Sequence, residues 1–122
     1  MYHSLESAFP KAVSNKMAVK IYPHSRGNIL NTISDIVELQ KAKFSYSDSP
    51  NGKIHFYVKM YAYKWEFRFT VIAKGEKQSQ VTLEVAGDET GKDNMLRREL
   101  YLLDTMLASE EQLDYVEHTN GN

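Results

Sequence analysis

The chain has no cysteine, which excludes disulfides, thiolate metal sites and a cysteine nucleophile. Proline and glycine are sparse, at 3 and 6 of 122 residues. The glycines, at 27, 52, 75, 87, 91 and 121, form neither a GxGxxG nor a phosphate-cradling spacing, so nothing supports nucleotide binding by those motifs. Excess charge is missing too: 15 Lys and Arg balance 16 Asp and Glu, for a net charge of −1. No global field gathers phosphate backbones or anionic lipid, and any basic patch has to act alone. No apolar run approaches the roughly 18 residues of a membrane span, and the opening "MYHSLESAFPKAVSNK" holds no apolar stretch of signal-peptide length. These absences predict a cytoplasmic protein without a membrane partner.

What remains is an ordinary globular composition, 42% hydrophobic and 25% charged, in a chain long enough for one core that buries about two-thirds of the unfolded surface. Residues 1–15 show a weak helical pattern at Leu5, Ala8, Phe9 and Ala12, interrupted by Pro10, and predict an N-terminal arm. A single α+β domain is expected over 16–117, with 118–122 a disordered tail. In "KMAVKIYP", Met17, Val19 and Ile21 alternate with Ala18, Lys20 and Tyr22, the period of a half-buried strand that Pro23 ends. "HSRGNILNTISDIVELQKA" then spaces Ile29, Leu30, Ile33, Ile36, Val37 and Leu39 as one face of a helix, with Asn28, Asn31, Thr32, Asp35 and Glu38 facing away. Of His24 and Ser25, Ser25 is the better N-cap by type.

"KFSYSD" and the turn "SPNG" lead into "NGKIHFYVKMYAYKWEFRFTV", residues 51–71. There Ile54, Phe56, Val58 and Met60 hold even positions, whereas Tyr63, Trp65, Phe67, Phe69 and Val71 hold odd ones. One continuous strand cannot keep both sets on the same face, because side chains alternate with period two. The phase must reset near 61–64, by a bulge or by a tight turn; a single strand of about 20 residues exceeds the usual length, so two strands are expected. "KGEKQS" reads as the next hairpin loop and "QVTLEVA" as a fifth strand with Val81, Leu83 and Val85 inward. A helix is expected from about residue 93, capped by Thr90 with Asp93 or by Asp93 itself, with Leu96, Leu100, Leu103 and Leu107 on its apolar face. "SEEQLDYV" reads as a further capped turn, Ser109 with Gln112.

The expected fold is α+β: an antiparallel sheet of about five strands in the order β-α-β-β-β-β-α, with two helices on its apolar face. Through "MAVKIYPHSRGNILNTISDI" and the amphipathic "NMLRRELYLLDTML", this element order resembles the START-like helix-grip superfamily across roughly residues 16–108. The resemblance implies a curved sheet around the last helix and a non-catalytic pocket for a small apolar molecule. The chain departs from the family in having five strands where six or seven are usual, and one helix where a pair normally follows the first strand.

Such a pocket, between sheet and C-terminal helix, would be lined by Phe56, Val58, Met60, Trp65, Phe67, Phe69, Leu100 and Leu103. Protein interiors normally close-pack, so the ordinary reading of the same residues is a filled core. Trp65 separates the two readings, because a buried indole N–H needs an acceptor. On the other face, His55, Tyr57, Lys59, Tyr61, Lys64 and Arg68 have the aromatic and cationic character of a single-strand platform. Glu66 and Glu84 share that face and the glycines of an RNA-recognition signature are missing, so no nucleic-acid partner is expected. Tyr57, Lys59 and Tyr61 are instead a candidate interaction surface, a homodimer being its simplest use. The four histidines have no metal-ligand spacing and the carboxylates no partnered arrangement, so neither enzyme, metal nor cofactor is expected.

Overall fold

The computed structural model describes residues 16–60, 62–87 and 89–120, and their side chains other than those of 89 and 110–120. The expected arm at 1–15 and residues 121–122 lie outside the described residues. Five strands, β1 (Lys16–Tyr22), β2 (Lys43–Asp48), β3 (Lys53–Met60), β4 (Tyr63–Gly75) and β5 (Gln78–Ala86), form one antiparallel sheet in the order β1-β5-β4-β3-β2. Two helices, α1 (Arg26–Leu39) and α2 (Lys92–Asn120), share one hydrophobic core with the sheet. This is the α+β arrangement expected, with α1 over β3 and β4 and α2 over β5 and β1.

The phase change in the aromatic stretch is a hairpin. Ala62 turns the chain at a φ of 68°, a left-handed conformation that a residue with a Cβ seldom adopts. The register then pairs Val58 with Trp65, Phe56 with Phe67 and Ile54 with Phe69, so even positions of β3 and odd positions of β4 meet on the same surface. All six are buried. The preceding connection is a 3₁₀ turn at Ser49–Asn51 closed by Gly52 at a φ of 69°. Arg26 at the start of α1 donates to the carbonyls of Ser49 and Pro50 at 2.8 and 2.6 Å. One cation thereby ties the helix to that turn.

In α1 the side chain of Ser25 accepts from the Asn28 N–H at 3.1 Å, the predicted cap. Two positions differ from expectation. Thr32 is fully buried, not outward, its hydroxyl donating back to the Asn28 carbonyl at 2.9 Å, which satisfies the group without solvent. Leu39, in the last turn, is 63% exposed. The C-terminal helix is also longer than the sequence reading. It runs 29 residues without a break at Ser109 and includes 118–120, assigned above to a tail. "SEEQLDYVEHTN" contains no glycine or proline to stop it.

The first strand takes the unexpected face. Met17, Val19 and Ile21 are 59%, 58% and 47% exposed on the outside of the sheet. Tyr22 instead turns under α2 and is buried, and its phenol donates to Asp104 Oδ1 at 2.7 Å while Lys20 Nζ donates to Oδ2 at 2.9 Å. Burial, then the bond and charge of Asp104, push the Tyr22 phenol above its ordinary range. A ring that packs and bonds on the inner side outweighs three aliphatic side chains that find no covering element among the described residues on the outer side of the sheet's edge.

Candidate functional site

Trp65 stands at the end of β4 nearest the β3–β4 hairpin, opposite Val58. The connection between β5 and α2 folds over its ring. A Cβ built on Gly87 would meet the ring at 2.7 Å, and one on Gly91 at 2.8 Å, inside van der Waals contact. Gly87 also has a φ of 150°, open to glycine and costly to other residues. Tyr63 meets the ring edge-on, at 6.3 Å between centroids and 69° between planes. Held on these sides, the indole is 3% exposed, and its Nε1–H has no hydrogen-bond partner among the described residues.

The other residues proposed for the pocket are gathered onto the same inner surface. Phe56, Phe67, Phe69 and Leu103 are fully buried and Val58 nearly so, with Phe56 at 5.5 Å from Phe67 and 6.1 Å from Phe69 between ring centroids. Met60 and Leu100 are only partly buried against this cluster. Because α1 lies over β3 and β4, the helix above Phe56 and Val58 is α1, while the segment before α2 bounds the Trp65 end.

A second polar group inside the protein escaped the sequence reading. Glu99 of α2 is fully buried between the two helices. It accepts from Gln40 Nε2 at 2.9 Å and from Arg98 Nη1 at 2.7 Å, and Arg98 also donates to Gln40 Oε1 at 2.6 Å. Burial pushes its carboxyl up to about 7, the bonds from Gln40 and the Arg98 charge holding it back from rising further. Its spacing from Leu96 and Leu103, three back and four on, places it on the apolar face. That spacing was the available signal. Asp104 is the acceptor for β1.

The outer face is polar across its middle. Arg68 bridges Glu66 at 2.7 Å and Glu84 at 3.6 Å, and Ser45 donates to Glu66 at 2.9 Å. Burial alone would raise the Glu66 carboxyl, but the bonds from Arg68 and Ser45 hold it below its ordinary value. Tyr57 carries the Lys64 ammonium 4.3 Å above its ring and Lys59 is exposed, whereas Tyr61 lies outside the described residues. His55 packs on Tyr46 at 5.1 Å between centroids, and its pKa is lowered by burial. Among the described residues no group of three or more His, Cys, Asp or Glu is placed to hold a metal ion, and no helix is long and apolar enough to cross a membrane.

No family model matches the chain, and no curated protein does. Among solved structures, the chain is similar to a START superfamily protein from Mycobacterium smegmatis, with 13% sequence identity over 81% of this chain and 98% of that one and a TM-score of 0.49.

Proposed function

We propose that the protein is a non-catalytic binder of a small, mainly apolar molecule that carries one hydrogen-bond acceptor and lodges at the Trp65 end of the core. The observation that carries this reading is the buried Trp65 Nε1–H, which has no partner among the described residues. Leaving such a donor unsatisfied costs about 1–3 kcal/mol, and the ring has no room to turn because Gly87 and Gly91 abut it. A carbonyl, carboxylate or ether oxygen placed at Nε1 recovers that loss. The apolar body of the ligand then lies beside Val58, Phe67 and the partly buried Met60. Met60 is suited to yield, since an unbranched thioether repacks at low cost.

Trp65 is the sole tryptophan, so its fluorescence reports on the site alone. Titration with oleate, which has an acceptor headgroup on an apolar chain, should give a saturable change with one molecule retained in native mass spectrometry. Trp65→Phe keeps most of the ring and deletes the donor, and should weaken oleate binding by about 2- to 10-fold by calorimetry, the worth of one neutral hydrogen bond. No saturable change and no retained mass, with oleate or with 1-anilinonaphthalene-8-sulfonate, sinks the proposal.

A further inference from the structure

The two edges of the sheet are defended unequally. Edge strands invite pairing with another chain unless they are bulged, charged, interrupted or covered. The β2 edge carries a register shift between Phe44 and Tyr46. β1 has none: seven consecutive residues pair with β5 in unbroken register, from Lys16 with Val85 to Tyr22 with Ser79. Its other side has no strand partner among the described residues, and its outward side chains, Met17, Val19 and Ile21, are apolar and about half exposed.

We propose that β1 is a homodimerisation edge, pairing antiparallel with β1 of a second copy across a two-fold axis at Val19. The strand itself selects that partner and that register. About Val19 the pattern Met-x-Val-x-Ile is symmetric in type, so Met17 lies opposite the partner's Ile21 and Val19 opposite the partner's Val19. Six apolar side chains then form one stripe across the joined sheets. On the inner side the small Ala18 lies opposite the partner's Lys20, and Lys16 opposite the partner's Tyr22. Neighbouring registers fail on charge. An axis at Ala18 opposes Lys16 to the partner's Lys20, and an axis at Lys20 opposes Lys20 to itself, and like charges directly opposite are destabilising.

The Val19 register also brings opposite charges together. Asp104 sits over Tyr22 with its side chain 40% exposed, and the partner's Lys16, opposite Tyr22, is the cation placed to reach it. The same contact repeats on the other side of the axis. Because α2 lies over β1, the two α2 helices flank the axis. Tyr101, three residues before Asp104 and so about 60° from it around the helix, is 69% exposed and adds area beside the joined strands. The joined sheet has ten strands and no β1 edge.

The absence of native cysteine makes the register directly testable in the full chain. A Val19→Cys variant puts two sulfurs opposite each other at the axis, where antiparallel Cα separations of about 4.5–5.5 Å suit a disulfide. Ile72→Cys is the control, 45% exposed on the same face but inside the sheet. Under mild oxidation Val19→Cys should form covalent dimer at least about tenfold faster than Ile72→Cys. Sedimentation equilibrium should show a micromolar dimer for the native chain, a monomer for Val19→Lys with an unchanged far-UV spectrum, and about tenfold weaker association for Lys16→Glu. A native chain that stays monomeric into the hundreds of micromolar, with Val19→Cys cross-linking no faster than Ile72→Cys, overturns the proposal; coverage of the edge by residues 1–15 would give that result. A dimer that Val19→Lys leaves intact overturns it as well.

Discussion

β4 and β1 alternate with equal strictness and yet bury opposite things. In β4 the inward positions, Trp65, Phe67, Phe69 and Val71, are the apolar ones. In β1 the aliphatic set Met17, Val19 and Ile21 faces out, and the inward set is Ala18, Lys20 and Tyr22. Strict alternation therefore establishes that the two faces of a strand differ and leaves open which one meets the core. For β4, paired on both sides and covered by α1, the choice is forced by volume. For β1, at an edge, it is made by a single acceptor on α2.

The contrast breaks most readily at Phe67, which is fully buried. Phe67→Ala should cost about 3–5 kcal/mol in urea unfolding, and a loss below about 1 kcal/mol would mean that β4 is not the organising strand.

Next in size is Glu99, which like Lys20 and Tyr22 is a polar residue turned inward. Its carboxyl moves from an ordinary 4.5 to about 7 on folding, so between those values the folded state holds more of this proton than the unfolded one. Stability should therefore fall as pH rises through that window and level off above it, by up to about 3 kcal/mol. The carboxylates held below their ordinary values, Asp48 and Glu66, act with the opposite sign and at lower pH. Thermal melts from pH 5 to 8 in ~0.5 unit steps should fall more steeply with pH for the native chain than for Glu99→Gln, since His55, whose lowered pKa acts with the opposite sign in the same window, is common to both; parallel profiles refute the assignment.

Tyr22→Phe sharpens the comparison at β1 itself. Losing the bond to Asp104 should cost about 1–2 kcal/mol and speed amide exchange along β1 before the other strands. Exchange unchanged in β1 would show that Asp104 does not choose the face. Smallest of all, Val19→Ala in dilute monomeric protein should shift stability by less than about 0.5 kcal/mol, the usual range for an exposed position. A loss comparable with Phe67→Ala would mean that the outer face of β1 is covered.

What could be read from sequence was whatever local period decides. The phase change between Met60 and Tyr63, the Ser25 cap and the leucine face of α2 are each encoded within a few residues, and the structure has them. The inward turn of Tyr22 depends on a partner 82 positions away. The burial of Glu99 depends on Gln40, 59 positions away. No window of sequence contains either pair. The cover over Phe56 and Val58 was assigned to the C-terminal helix for a similar reason, since strand order decides which helix lies above which strand. Trp65 is intermediate: its need for an acceptor was evident from residue type, and only the structure reveals that none of the described residues supplies one.

The fit of Gly87 and Gly91 against the indole has an evolutionary corollary. Any side chain at 87 or 91 must displace ring atoms now within 2.8 Å of its first carbon, so these three positions behave as a single volume shared among them. Randomised together and selected for folding, they should return either tryptophan with two glycines or a smaller residue at 65 with bulk restored on the strap, and mixed combinations should be lost.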